Sequence, residues 1–211
     1  MTTTRPDAAS RILRFDRTER WVHWTQALLF LVLFVTAAAL YIPAVSELVG
    51  RRELMRTVHV VAGVVLPLPV TLGALGRRGR ALRSDLGRAD RFTPHDWAWL
   101  RSFGRARGLR IGKFNAGQKL NASFTGGAIL VMLATGAVMR WYEPFPLAWR
   151  TGATFVHDVL AAALFVTVAG HVLLASRDAE SYGAMKGDGF VSRAWAARHA
   201  PAWLDEGDPD S

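Results

Sequence analysis

The sequence predicts an all-α membrane protein, a bundle of four transmembrane helices with both termini in the cytoplasm. Of its 211 residues, 51% are hydrophobic, and they are concentrated in four segments. Each segment approaches the roughly 20 apolar residues that a helix needs to cross the hydrocarbon core. The net charge of +9 falls in the stretches around these segments. The length of the chain is that of one domain.

The predicted spans are residues 22–41, 57–75, 120–141 and 153–175. Pro43 follows the first span and ends it, because proline cannot continue a helix. Pro67 and Pro69 lie inside the second span, where neighbouring helices can accommodate a kink. We therefore expect four spans, with a bend in the second.

Arginine and lysine in the loops set the predicted orientation. The central loop, residues 76–119, and the N-terminal arm, residues 1–21, are heavily basic, whereas residues 44–56 and 140–150 carry only a small positive excess. The positive-inside rule places the basic stretches in the cytoplasm. The arm has no apolar core followed by a small-residue cleavage site, so we expect no signal peptide.

Three regions follow from this topology. They are a cytoplasmic arm at residues 1–21, a transmembrane domain at residues 22–176 and a cytoplasmic tail at residues 177–211. Within the central loop, TPHDWAWLRSF is predicted to form a short interfacial helix, since tryptophan favours the headgroup boundary. The charge of the loop is a topology signal, and nothing beyond charge supports nucleic-acid binding.

Four histidines fall at two matched depths in this topology. His23 opens the first span on the inner side, and His59 opens the second on the outer side. His157 and His171 lie on one face of the fourth span, about 21 Å apart along the helix. Two histidines are therefore expected at each level, His59 with His157 and His23 with His171.

This arrangement is what two b-type haems need. Each iron takes one imidazole from either side of the porphyrin, so both ligands must share a depth. The chain has no cysteine, which excludes iron–sulfur clusters, thiolate zinc sites and covalently attached haem. A single histidine near a helix end could instead be an interfacial residue, but four at two matched depths favour metal binding.

Other residues could assist such a site. Glycines near the histidines could leave room for flat macrocycles, although each is also an ordinary helix-packing residue; they are Gly63, Gly126, Gly127, Gly136 and Gly170. Arg20, like Arg17 and Arg56, lies near a histidine-bearing helix end and could meet haem propionates, or could simply anchor the helix.

A different class of protein remains as an alternative. Intramembrane histidines can also line a metal or proton pathway in a transporter. That interpretation expects acidic residues within the spans, and Asp158 is the only clear candidate.

Several stretches resemble the gamma (cytochrome b) subunit of membrane-bound respiratory formate dehydrogenase. They are RFDRTERWVHWTQALLF around His23, KFNAGQKLNA from Lys113, the two histidines of the fourth span and the ending GDGFVSRAWAARHAPAWLDE. The likeness covers almost the whole chain. The architecture is shared with cytochrome b subunits of nickel–iron hydrogenases and related oxidoreductases, which are the alternative family, while KFNAGQK favours formate dehydrogenase.

The resemblance implies a membrane anchor in the bacterial inner membrane that binds two haem b groups. Electrons would come from an outer-face iron–sulfur (beta) subunit, itself served by a molybdopterin catalytic (alpha) subunit. They would pass through both haems to a quinone, menaquinone or ubiquinone, near the cytoplasmic face. The chain itself would hold no formate-oxidising site.

The resemblance also implies site residues. The four histidines would bind haem iron, and Asn115, with Gly117 and Gln118 beside it, would contribute to the quinone pocket. From the residues alone, Asn115 is equally a favourable N-cap for the third span. The two roles can coexist.

Overall fold

A computed structural model describes residues 11–206 of the chain, which are mainly helical. The helices are α1 Arg17–Tyr41, α2 Pro43–Val49, α3 Arg52–Val65, α4 Leu68–Leu75, α5 Arg80–Asp90, α6 Pro94–Arg101, α7 Ala116–Arg140, α8 Leu147–Ser176, α9 Ala179–Lys186, α10 Arg193–His199 and α11 Pro201–Asp205. The strands are β1 Arg11–Leu13 and β2 Phe190–Ser192.

Four helical segments of the described chain are long and apolar enough to cross a membrane: α1, residues 52–75, α7 and α8. They coincide with the four predicted spans and confirm the all-α membrane fold. Helix α1 begins five residues before the predicted span because Asp16 and Glu19 cap it. Each accepts a hydrogen bond of 2.7 Å from the other's backbone N–H, which satisfies two amides that the first helical turn leaves unpaired.

The second span is broken where the prolines predict a bend. Helix α3 ends at Val65 and α4 begins at Leu68. Pro67 has no N–H to donate, yet its carbonyl accepts a hydrogen bond of 3.2 Å from the N–H of Thr71. The predicted kink is therefore a junction between two helices.

The described chain divides into two compact units. The bundle unit comprises residues 21–77 and 124–170. All four predicted spans contribute to its core, which consists of Phe30, Leu66, Ala128, Ile129 and Leu164 with partly buried hydrophobic residues around them. Large apolar side chains such as Phe155 and Val166 on α8 are 69% exposed, as expected of residues that face lipid.

The terminal unit comprises, of the described chain, residues 11–20, 78–123 and 171–206. Strand β1 pairs antiparallel with β2, with Ile12 opposite Val191. Its hydrophobic core includes Ile12, Phe15, Ala184, Val191, Trp195, Ala196, Ala200 and Trp203. The sequence predicts the arm and the tail as separate regions, whereas in the structure their described residues fold together.

Gly189 joins the sheet to the segment just before α1. Gly189 has a left-handed backbone with φ of 92°, and its carbonyl accepts hydrogen bonds from the N–H groups of Arg14 (2.8 Å) and Phe15 (3.0 Å). A Cβ at this position would overlap the carbonyl of Phe15. Only glycine combines this backbone conformation with so close an approach.

Arg14 is a buried cation in this unit. Its side chain is 2% exposed, and its guanidinium lies 4.1 Å from the ring centre of Trp195. One hydrogen bond, of 3.2 Å, reaches the carbonyl of Lys113. Burial lowers the pKa of Arg14 to about 10, so the residue stays charged at neutral pH and the aromatic face partly compensates for lost water.

Candidate functional site

The structure brings His59 and His157 together in the bundle unit. His59 lies on α3 and His157 on α8, and both are half-buried. Their ring centroids are 6.4 Å apart, and the ring planes are inclined at 61°. These two histidines were predicted to share a depth from the distribution of arginine and lysine alone. The structure adds that they are neighbours.

A threonine hydroxyl contacts each of these rings. Thr36 Oγ1, on α1, lies 2.9 Å from Nδ1 of His59. Thr135 Oγ1, on α7, lies 3.0 Å from Nδ1 of His157. Neither threonine is predictable from the sequence, because a threonine in an apolar helix carries no signal that distinguishes a ligand's partner from a packing residue.

The spacing of the two rings fits one metal ion between them. A metal–imidazole bond of about 2 Å on each side, plus about 1 Å from each nitrogen to its ring centre, gives about 6 Å between centroids. The observed 6.4 Å agrees. Two imidazoles with such a spacing are the axial donor set of a b-type haem.

The donor set of this pair consists of two imidazoles. Within residues 11–206, no group of three or more histidine, cysteine, aspartate or glutamate residues is arranged to hold a metal ion. Structural and catalytic zinc sites use three or four protein ligands. Two imidazoles therefore suit an ion whose remaining ligands come from a macrocycle.

Of the glycines expected to leave room for such a group, Gly136 is the one that adjoins this pair. A Cβ at Gly136 would lie 3.5 Å from Cε1 of His157. At Gly126, Gly127 and Gly170 an added Cβ would meet nothing within 4 Å, and at Gly63 it would meet only Leu33. The distance at Gly136 is ordinary van der Waals contact, so the role of the glycines in making room for a haem stays a prediction.

The second predicted pair is divided between the units. His23 lies in the bundle unit, where its ring meets Trp24 edge-on with centroids 5.0 Å apart. His171 lies in the terminal unit, on the last part of α8. Their pairing stays a prediction.

The arginines near the helix ends make local contacts. The Nε of Arg20 donates to the carbonyl of Asp16 at 3.3 Å. Arg56 pairs with Glu53 at 2.6 Å on the exposed side of α3. Both contacts fit the helix-anchoring alternative, and the propionate role of Arg20 stays a prediction.

The NAGQK motif forms the start of α7, and the capping alternative is realised there. The N–H of Asn115 donates to Oε1 of Gln118, and the N–H of Gln118 donates to Oδ1 of Asn115, both at 3.0 Å. This reciprocal arrangement satisfies two amides at the helix start. It engages the oxygen of Asn115 and does not involve its Nδ2 group.

Gly117 has a packing role in the same motif. A Cβ at Gly117 would lie 3.0 Å from Cη2 of Trp99 and 3.3 Å from Oδ1 of Asn115. Both separations are shorter than normal van der Waals contacts, so the absence of a Cβ at Gly117 lets α6 pack against the cap of α7.

The two lysines of KFNAGQK are buried in ion pairs. Lys113 contacts Asp85 of α5 and, at 3.4 Å, Glu19 of α1. Lys119 lies 2.7 Å from Asp96 of α6. Each lysine is 7% exposed or less. The motif therefore ties α5 and α6 of the central loop to α7, a structural role that the sequence analysis did not assign to it.

Asp96 is also the capping residue of α6. Thr93 and Asp96 exchange hydrogen bonds at the start of this helix. Burial alone would raise the pKa of Asp96, but the hydrogen bonds from Lys119 and Thr93 outweigh it and lower the pKa below its ordinary value. The carboxylate is therefore ionised at neutral pH.

Four apolar spans with a pair of neighbouring imidazoles are typical of a membrane-bound b-type cytochrome. The sequence profile of the prokaryotic cytochrome b561 family matches residues 14–180. The chain belongs to this family. It is a multi-pass protein of the bacterial inner membrane that binds b-type haem and serves electron transfer.

Curated relatives support the same resemblance. The chain is 26% identical to the formate dehydrogenase cytochrome b556(fdo) subunit of Escherichia coli K12, over 92% of both chains. It is 25% identical to the formate dehydrogenase cytochrome b556 subunit of Haemophilus influenzae, over 93% of this chain and 84% of the relative. It is 24% identical to the nitrate-inducible b556(Fdn) subunit of Escherichia coli K12, over 92% and 91%.

Proposed function

We propose that the chain is the di-haem membrane anchor of a formate dehydrogenase-type complex, which conducts electrons from an outer-face dehydrogenase to a quinone near the cytoplasmic face. The observation that carries this proposal is the spacing of His59 and His157, which suits a single haem iron between α3 and α8. The names of the relatives and their coverage of almost the whole chain support the choice of complex.

Four histidines would hold the two haems. His59 and His157 bind the iron of the outer haem, and His23 and His171 bind the iron of the inner haem. Haem b, when bound, supplies one-electron redox chemistry. The protein would fix the depth of each imidazole through the helix that carries it.

The quinone would bind at the start of α7. The capping bonds engage the side-chain oxygens of Asn115 and Gln118, so the group suited to a quinone carbonyl is the Nδ2 of Asn115, which has two N–H donors. Because Gly117 has no side chain, Trp99 can pack beside the same part of α7. Menaquinone and ubiquinone both present the carbonyl that this donor recognises.

The remaining steps belong to partner subunits. The chain has no cysteine, so an iron–sulfur (beta) subunit must deliver electrons, and a molybdopterin (alpha) subunit must oxidise formate. With the basic arm and loop in the cytoplasm, the inner pair of histidines and the quinone share the cytoplasmic side. Quinone reduction there takes up protons from the cytoplasm and contributes to the proton-motive force.

The test is purification of the complex through a tag on this chain, followed by haem quantification and identification of the co-purifying subunits. We expect two low-spin b haems per chain, with iron–sulfur and molybdopterin subunits. A complex with a nickel–iron hydrogenase would overturn the choice of partner. A haem-free protein that binds zinc or copper would instead support a histidine-lined metal pathway.

A further inference from the structure

We propose that Thr36 and Thr135 are positioning residues for the outer haem: each hydroxyl accepts a hydrogen bond from Nδ1–H of its histidine and so presents Nε2 of His59 and His157 to the shared iron. This inference rests on the proposed function, since it concerns the haem that these two histidines would hold. It assigns a role to two residues that no motif marks.

The hydroxyl of Thr36 lies within hydrogen-bond distance of two carbonyl oxygens of its own helix, to which it can donate its one hydrogen. Oγ1 lies 2.7 Å from the carbonyl oxygen of Val32 and 3.1 Å from that of Leu33. Carbonyl oxygens only accept, and a hydroxyl has one hydrogen and two lone pairs. With the hydrogen donated to the helix, Oγ1 can only accept from Nδ1 of His59, 2.9 Å away. In this arrangement Nδ1 of His59 carries the hydrogen.

The same arrangement recurs on a second pair of helices. Thr135 Oγ1 lies 2.8 Å from the carbonyl oxygen of Val131 and 3.2 Å from that of Met132. It lies 3.0 Å from Nδ1 of His157. By the same reasoning Nδ1 of His157 also carries a hydrogen. Threonine in a helix readily donates to the carbonyl four residues earlier, so neither hydroxyl is strained.

A neutral imidazole with its hydrogen on Nδ1 has its lone pair on Nε2. Both histidines would thus offer the same nitrogen to a metal, and their centroid separation of 6.4 Å suits one ion. Metal-bound histidines commonly donate their other N–H to an oxygen, which fixes the ring and raises its basicity. A more basic axial ligand stabilises the oxidised iron, so each threonine should lower the midpoint potential of the outer haem.

The experiment uses the purified complex with Thr36→Val and Thr135→Val, which remove the hydroxyl at nearly constant shape. The serine variants, Thr36→Ser and Thr135→Ser, keep the hydroxyl. Thr71→Val is the matched control, because Thr71 donates to the carbonyl of Pro67 at 2.9 Å in the same bundle unit. Redox titration followed by absorption and electron paramagnetic resonance reports each haem separately.

We expect each valine variant to raise the midpoint potential of one haem, the same one for both threonines, and to weaken retention of that haem by about 10–100-fold. The serine variants should restore the wild-type potential, and Thr71→Val should change neither haem. A valine variant could lose that haem entirely. The proposal is then supported if the variant keeps the other haem and if the serine variant binds both.

Unchanged midpoint potentials and haem content in both valine variants would overturn the proposal. A shift in the midpoint potentials of both haems together would also overturn it, and so would serine variants that behave like the valine variants. Failure of the proposed function is distinguishable. It would appear as wild-type protein without two haems, or as His59→Ala protein that retains both, whatever the threonine variants show.

Discussion

The imidazole rings of His59 on α3 and His157 on α8 lie side by side, with centroids 6.4 Å apart. Their helices belong to different hairpins of the sequence, so neither local spacing nor a motif joins them. The pair depends on the folding of the bundle unit, to which both residues belong. This dependence makes the two residues one functional element, and their variants should behave alike.

Replacing either member of the pair should remove the same haem. His59→Ala and His157→Ala leave the iron with one protein ligand, so we expect haem content to fall from two to one per chain and electron entry from the donor to stop. Haem quantification and the absorption spectrum of the residual haem check this. If the two variants lost haems with different spectra, the assigned pairing would be wrong.

The Asn115→Asp variant should distinguish the capping role of Asn115 from its role in quinone binding. Aspartate keeps the oxygen that accepts from the N–H of Gln118, but it lacks the two N–H donors of Nδ2. We expect a raised KM for quinone with stability and both haems retained. Asn115→Ala should show the same kinetic defect and lose about 1 kcal/mol of stability as well. Wild-type quinone kinetics in the aspartate variant would leave Asn115 as a cap alone.

Lys113→Met should destabilise the terminal unit. The substitution removes the buried cation between Glu19 and Asp85 and leaves Asp85 paired with Arg88 at 3.0 Å, so the loss is at most the roughly 3–5 kcal/mol that a buried charge without any partner costs. Arg56→Met is the control, since its pair with Glu53 is exposed and worth at most about 1 kcal/mol. Denaturant unfolding followed by tryptophan fluorescence measures both. Equal effects of the two variants would contradict the structural role of Lys113.

Asp96 should make the stability of the terminal unit sensitive to acid. The pKa of Asp96 is below its ordinary value in the folded chain, so ionised Asp96 stabilises the fold above the unfolded pKa of about 3.9. The contribution is lost as the pH falls from there through the folded pKa. Comparing unfolding at pH 7 and pH 3 checks this, and Asp96→Asn should show the smaller difference. If the stability of Asp96→Asn depended on pH as strongly as that of the wild type, this role of Asp96 would be contradicted.

Gly189→Ala should weaken the junction between β2 and the start of α1. The added Cβ meets the carbonyl of Phe15, and alanine is disfavoured at φ of 92°, so we expect a loss of about 1–3 kcal/mol. Hydrogen exchange at the N–H groups of Arg14 and Phe15 should accelerate. Gly183→Ala is the control: it lies in α9 with nothing within 4 Å of the new Cβ, so helix propensity should make it neutral or stabilising.

The sequence predicts the spans well because they depend on composition. Apolar length alone identifies α1, α7 and α8, and Pro67 marks the break between α3 and α4, since proline lacks an amide hydrogen. The depth of His59 and His157 stays a prediction, because it depends on the orientation that the arginines of the loops indicate.

Contacts between distant segments are not encoded in such local signals. Thr36 and Thr135 resemble any other threonine in an apolar helix until the histidines are placed beside them. The partners of Lys113 lie 28 and 94 residues away, so no local charge pattern indicates them. Strands β1 and β2 have three residues each, too few for an alternating pattern to stand out.

The pairing of β1 with β2 constrains the order of events during synthesis. The first strand emerges from the ribosome before any of the spans, while its partner emerges after all four. The terminal unit can therefore close only after all four spans have been synthesised. A paired sheet thus indicates a chain translated beyond the fourth span, and truncation before Phe190 should leave β1 without a partner strand even if the bundle itself has formed.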